Sequence, residues 1–326
     1  MKTAALWLTT CLLSVVANAV EPIPVILDTD IGGDIDDTWA LAYLLRSPEL
    51  ELKLVVTDFG DTLYRAKVAA KLLEVAGHSD VPIGIGLRQS EEGGPQGEWV
   101  EGYSLESYPG TVHQDGVQAM IDMLRSAKEQ ITVIAVGPAP NLEEALERAP
   151  DIAEKARLVG MFGSVRVGYN GAPEPEAEWN VRADVEAARA VLAAPWEVTL
   201  TPLDTCGLLK LTGERYAAVR DAEDPLTRAI IENYRLWLPH IAWLPKSTDP
   251  DRESTVLFDI VAVYLAFAED LVEIEEIGLR VTDKGMTVED EAGRMARCAL
   301  RWRSLEGLEA QIVERLTSTL SNRGRD

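Results

Sequence analysis

The sequence predicts an α/β fold, a single domain with a mostly parallel central sheet flanked by helices. Three observations carry that expectation. Short apolar runs of strand length alternate with longer amphipathic ones. The short runs lack a polar face, as strands covered on both sides do. No linker or composition break divides residues 20–326.

Taken in order, the first strand is 23–28 "IPVILD", followed by a helix over 37–46. Strand 52–57 "LKLVVT" precedes helix 62–77, and strand 81–85 "VPIGI" precedes a loop, 86–112, rich in Gly, Pro and Glu. Helix 114–127 leads to strand 131–136 "ITVIAV" and helix 141–149. Strand 157–161 "RLVGM" opens a second long loop, 164–180, that carries polar groups beside aromatics. Helix 184–194 and strand 197–201 "EVTLT" follow, and a third irregular piece, 239–254, lies between two helical patterns. Loops this long in a compact domain are more often functional than decorative. In parallel sheets, ligands bind beyond the carboxyl ends of the strands.

The 326 residues carry a formal net charge of -23, from 54 acidic and 31 basic side chains. So acidic a chain repels phosphate backbones and anionic lipid, which excludes nucleic acid and a membrane surface as expected partners. The first 19 residues, "MKTAALWLTTCLLSVVANA", read as a secretory signal cleaved after Ala19. A single lysine, an apolar run too short for a spanning helix, and Ala17-x-Ala19 support that. Cys11 lies inside the apolar run, which argues against a lipoprotein. The mature chain is therefore expected to be secreted or periplasmic. Its two cysteines, Cys206 and Cys298, could form one disulfide, though nothing in their spacing says that they meet. Three histidines and two cysteines are too few for the common zinc arrangements.

The stretch "DTDIGGDIDD", 28–37, places five aspartates at the end of the first strand. Turn formation and helix capping explain one or two of them. They do not explain Asp28, Asp30, Asp36 and Asp37 together, because neighbouring carboxylates repel. A bound cation removes the conflict, and all-oxygen ligands suit Ca²⁺ or Mg²⁺. An EF-hand fails, since its twelfth position falls on Trp39. A D-x-D phosphatase matches Asp28 and Asp30 but gives Asp36 and Asp37 no role.

The longer pattern "VILDTDIGGDIDDTWALAYLL" resembles the N-terminal signature of the nucleoside hydrolases, the inosine-uridine-preferring superfamily. Ile31 stands where proline is usual, and two extra residues precede the Asp pair. The resemblance continues in order through "VVTDFGD" (55–61), "VHQDG" (112–116), "VGPAPNLEEAL" (136–146), "YNGAPEPEAEWNVRADVEAA" (169–188), "TPLDTC" (201–206) and "VLFDIVAVYLA" (256–266). It implies calcium-dependent hydrolysis of the N-glycosidic bond of ribonucleosides, giving base and ribose, by a metal-bound water with Asp30 as general base. Asp30, Asp37, Asp259 and the Pro140 carbonyl are the implied calcium ligands. Asp36, Glu178 and Asn180 match residues that hold ribose hydroxyls, and Asn170 matches an asparagine near the 5′ end. Asp61 stands where asparagine is usual and is expected to accept a hydrogen bond from the sugar.

One departure concerns the leaving base. The family often places a histidine before the calcium aspartate, proposed to protonate a purine; here the residue is Phe258, which has no proton to give. His113, in the block expected near the nucleobase, and His240, beside Trp237 and Trp243 in the third loop, are the candidate replacements. His78 ends a helix pattern at the surface, and Asn141 could cap the helix "LEEALERA". The implied partners are a small-molecule nucleoside and further copies of the chain in a homo-oligomer. A same-fold hydrolase of a different N-riboside, or a non-catalytic calcium and sugar-binding protein, are the alternatives. Retention of Asp30, Asp36, Asp37 and Asp259 argues against the latter, because carboxylates that repel gain nothing without a metal.

Overall fold

Along the central strand β1 (Ile23–Thr29), Val25 and Leu27 enter one hydrophobic core and Ile26 the other. Both faces are covered, so the run has no polar side to show. The same division holds in β2 (Leu50–Thr57), where Val55 enters the first core and Leu54 and Val56 the second. The computed structural model describes residues 21–318, and the expected leader lies outside them. The remaining strands are β3 (Ile83–Ile85), β4 (Val112–His113), β5 (Ile131–Ala135), β6 (Ala156–Gly160), β7 (Glu197–Leu200), β8 (Val272–Val281), β9 (Thr287–Glu289) and β10 (Arg294–Trp302). All ten form one sheet in the order β4-β3-β2-β1-β5-β6-β7-β10-β8-β9. Pairing is parallel from β4 to β10 and antiparallel only at β10-β8 and β8-β9.

The first core packs α1 (Asp36–Leu45) and α2 (Thr62–Val75) against one face. The second packs α3 (Gly116–Ser126), α4 (Pro140–Arg148), the short α5 (Trp179–Ala183) and α6 (Val185–Ala193) against the other. The helices α7 (Gly213–Arg220), α8 (Pro225–Trp237), α9 (Phe258–Leu265) and α10 (Leu305–Thr317) complete the first face. Among the described residues no helix is long and apolar enough to cross a membrane.

The fold is the single α/β domain that the alternation predicts, with each predicted strand and helix in place to within a few residues. The third strand starts late, at Ile83, because Pro82 has no N–H for the ladder. The extension β8–β10 was not foreseen. Ala296, Cys298 and Leu300 point into the second core while Arg297 and Arg301 point away, and Ala299 between them enters the first core, so the other face is only partly wetted. Cys206 and Cys298 are both free thiols, each buried, so the possible disulfide is not made.

Candidate active site

Three loops meet where β1 ends between β2 and β5: 30–35, 58–61 and 136–139. Their approach is close. A side chain at Gly137 would come within 3.0 Å of Asp58 Oδ2 and 3.1 Å of Asp30 Cβ, so a larger residue would have to push these neighbours aside. Phe59 (φ 55°) and Ala139 (φ 68°) hold left-handed backbone here, and Asn170 (φ 55°) does so in the loop after β6. Among the described residues these are the three non-glycines with positive φ. Each costs about 1–3 kcal/mol, and such strain collects where a site over-determines the backbone.

Asp36 and Asp37 occupy the first turn of α1, and Asp259 the first turn of α9, which packs beside it. One carboxylate oxygen from each lies within 4.8 Å of the other two, and all three residues are buried. The Thr29 hydroxyl donates to Asp37 Oδ1 and accepts the Ile31 N–H at 3.1 Å, which fixes the turn. Burial pushes the three carboxyls well above the usual range, and their mutual repulsion adds to it. Two helix N-termini favour negative charge there, and an all-carboxylate set without a matching cation fits a hard divalent ion.

The carboxylate trio overlaps the expected ligands at Asp37 and Asp259. Asp36, expected at a ribose hydroxyl, joins Asp37 and Asp259, because consecutive residues in the first turn of α1 both reach α9. Asp30 lies outside the trio; its Oδ2 faces the Arg65 guanidinium at 3.6 Å. Pro140 opens α4 directly after Ala139, beside the Gly137 approach. Asp34 is only partly buried and accepts the Ile35 N–H at 2.6 Å.

Beneath the trio lies a second set of buried acids. Asn141 does not cap α4, whose N-cap is Ala139 with no side-chain bond. Its amide instead donates to Asp28 Oδ1 at 2.8 Å and to the Thr57 carbonyl at 3.0 Å, and its oxygen accepts the Leu87 N–H at 2.8 Å. The side chain thus ties β1 to β2 and to the loop after β3, a use that a short polar residue in a first helical turn does not announce. Asp58 Oδ2 accepts the Ala139 N–H at 2.7 Å. Asp28 Oδ2 and Asp58 Oδ1 are buried without a hydrogen-bond partner. Burial lifts Asp28 to about 7 and Asp58 well above its usual range.

On the β6 side, Glu178 caps α5 by accepting the Asn180 and Val181 N–H groups at 2.7 and 3.2 Å, and it also accepts the Gly163 N–H at 2.9 Å. Burial still raises its carboxyl to about 7. The Asn180 amide donates to the Met161 and Val136 carbonyls at 3.0 and 3.3 Å, so it stands across the ends of β6 and β5. Asp204, in the "TPLDTC" block, accepts the Val165 and Arg166 N–H groups at 2.9 Å and anchors the start of the same loop. Asn170 is exposed in a 3-10 turn, Tyr169–Gly171. Next to it, the Tyr169 ring meets Phe258 edge-on at 6.1 Å, and its hydroxyl accepts the Trp179 N–H at 2.8 Å.

Asp61 has a structural task in place of the expected sugar contact. Its Oδ1 accepts the Tyr64 N–H at 3.2 Å as the α2 cap and pairs with Arg88 at 3.0 Å, while Oδ2 accepts the Gly93 N–H at 3.2 Å. Burial pushes its carboxyl up, but these donors together hold it below the usual range. His113 ends β4, three strands from β1 and so about 14 Å across the sheet. That distance removes it from the aspartate cluster. His240 is exposed in the turn Leu238–His240. It follows Trp237, whose indole N–H donates to the Gly33 carbonyl at 2.8 Å and whose ring meets Trp243 edge-on at 6.1 Å. The third loop therefore borders the aspartate turn, with Trp243 63% exposed.

Residues 25–316 match the family described as inosine-uridine preferring nucleoside hydrolase. The chain is 32% identical over 226 residues to the non-specific ribonucleoside hydrolase RihC of Klebsiella pneumoniae, covering 65% of this chain and 72% of that protein. It is 24% identical over 275 residues to a probable uridine nucleosidase of Arabidopsis thaliana, covering 81% and 83%. In structure it is similar to a plant nucleoside hydrolase, with a TM-score of 0.76 at 22% identity, covering 92% of this chain and 100% of that one.

Proposed function

The chain belongs to the inosine-uridine preferring nucleoside hydrolase family, and on that footing we propose that it hydrolyses the N-glycosidic bond of ribonucleosides to base and ribose. The observation that carries the reading is the meeting of Asp36 and Asp37 with Asp259 at two helix N-termini, with Glu178 in electrostatic reach of Asp30. The oxygen-only donors favour calcium as the ion held by Asp37, Asp259 and Asp36, with the Pro140 carbonyl and Asp30 beside them. When bound, the ion would supply the Lewis acidity that makes a water nucleophilic near neutral pH. Asp30 takes the proton of that water, held in place by Arg65. Glu178 and Asn180 hold ribose hydroxyls, Asn170 lies toward the 5′ end, and the surrounding carboxylates stabilise positive charge developing on the ring.

Base departure follows from Phe258. Phe258 offers no proton at the place where the family often has histidine, and the Tyr169 ring lies edge-on to it with its hydroxyl turned to the Trp179 N–H. Trp237 touches the aspartate turn and carries Trp243 against its ring, with His240 exposed in the turn that follows, and these are the groups this reading offers to the base. A positioned acid is typically worth about 10² to 10⁴ in rate, so bases that leave only when protonated should be cleaved more slowly by that order.

The test is base release, by chromatography, from purine and pyrimidine ribonucleosides and their 2′-deoxy analogues, in calcium and in chelator. Calcium-dependent cleavage of ribosides alone supports the reading. Cleavage untouched by chelator overturns the metal, and no cleavage with calcium still bound points to another N-riboside or to a binding protein. The leader reading adds a secreted or periplasmic location, with Val20 as the first residue found by N-terminal sequencing of the mature chain. Light scattering on the eluting protein tests the homo-oligomer.

A further inference from the structure

Arg65 projects from α2 into the aspartate turn, its side chain only 11% exposed. Its Nε donates to the Phe59 carbonyl at 2.6 Å and its Nη1 to the Ile31 carbonyl at 3.1 Å. Its Nη2 lies 3.6 Å from Asp30 Oδ2. The two carbonyls belong to the loops after β2 and β1, so the guanidinium is held between them and cannot swing to another acid. The surroundings leave room for it. A side chain on Gly33 would come within 3.1 Å of Nη1, and Phe59 holds its strained φ of 55° where its carbonyl receives Nε. Asp28, Asp30, Asp36, Asp37, Asp58 and Asp259 are all buried, and the guanidinium charge acts on Asp30, Asp37 and Asp58 among them. Among the described residues no other basic side chain pairs with any of the six.

We propose that Arg65 is a positioning residue for the metal site: a fixed counter-cation that holds the carboxylates together without the ion and weakens the ion's hold when it binds. The inference rests on Asp36, Asp37 and Asp259 being the ligands. Two cations in one acidic pocket repel, and the repulsion is poorly screened away from water. Asp30 is shared between them, so it stays oriented by the guanidinium and is not drawn wholly onto the metal. An arginine that only stapled two loops would act the other way. Its loss would loosen the site and weaken binding.

Calorimetric titration of chelator-stripped wild type, Arg65→Gln and Arg65→Lys with calcium separates these. The expected result is about tenfold tighter calcium binding by Arg65→Gln, from the lost repulsion, with Arg65→Lys near the wild type because the charge remains. Metal-free Arg65→Gln should melt below the wild type, and its kcat should fall with KM little changed, since Asp30 loses its orientation. Unchanged or weaker calcium binding by Arg65→Gln overturns the inference while leaving the metal site standing. A wild type that binds no calcium takes the site reading down, and this inference with it. If Arg65→Gln does not hold its fold without the ion, the rise in melting temperature on adding calcium is compared for protein purified in calcium. A larger rise than in the wild type supports the counter-cation, and an equal or smaller one overturns it.

Discussion

At the carboxyl end of β1, six buried aspartates face a single arginine, whereas along β8 and β10 the carboxylates have arginine partners of their own. Arg297 grips Glu269 with two bonds of 2.8 and 2.7 Å, Arg166 holds Glu275 and Glu289, and Arg280 holds Asp290. Those pairs are wet, exchange one set of water contacts for another, and contribute about 0–1 kcal/mol each. The aspartates of the turn have lost water and, Asp30 apart, gained no cationic partner, which costs several kcal/mol per ionised group and raises every carboxyl there. The same side chain is surface dressing in one place and stored affinity for a cation in the other.

The contrast breaks most sharply at Asp37. Replacing it with alanine removes one of three converging oxygens, and calcium binding and turnover should both fall to background in calorimetry and a base-release assay. Full activity in that variant would mean that the site lies elsewhere. Asp30→Asn keeps shape and size but cannot take a proton, so kcat should drop by about 10² to 10⁴ with the melting temperature nearly kept. Wild-type rates there would move the base to another residue.

Acidity offers a gentler probe. Asp28 and Glu178 are lifted from 3.8 and 4.5 to about 7 in the fold. The native state then holds protons that the unfolded chain has released, so this contribution is complete below the unfolded values and is lost as pH rises toward 7. The metal-free protein should therefore melt at a lower temperature at about pH 7.5 than at about pH 5.5. Calcium needs ionised carboxylates and should cancel or invert that trend. Calorimetric scans that fall equally with and without calcium would separate these acids from the ion. At the far end of the scale, Arg297→Gln on β10 should change stability by about 1 kcal/mol or less in a denaturant titration, with turnover untouched. A larger loss would show that the outer strands support the site.

Much of the site could be read from residue order. The run "VILDTDIGGDIDD" shows a covered strand, a glycine-loosened turn and more acid than a turn needs, and "LFDIV" supplies the distant aspartate. The residues of "AEWN" by themselves suit a solvated helix-entry loop; the family resemblance points to Glu178 and Asn180, and the fold buries both. Asp61 reads either way in the sequence, because an aspartate directly before a helical pattern suits a sugar contact and an N-cap equally well, and only the donors from Tyr64, Gly93 and Arg88 decide. For His113 the block suggests a place near the base, and only the strand order shows that it ends a strand three away from β1. Asp58 and Arg65 gave no signal as site residues. Each lies beside a strand end or on a helix face whose neighbours are set by distant segments.

By itself the sequence determined the alternating α/β architecture, the face-to-face division of apolar residues and the turn that concentrates negative charge. These are local consequences of periodicity and of repulsion between near neighbours in the chain. The tertiary structure alone decided that Asp36 joins Asp37 and Asp259, that Asn141 bridges Asp28 to β2, and that a guanidinium stands among the acids. Those relations join residues up to hundreds of positions apart. They exist only once the sheet order has brought the loops to one edge, and burial has removed the water that would have made each charge independent of the rest.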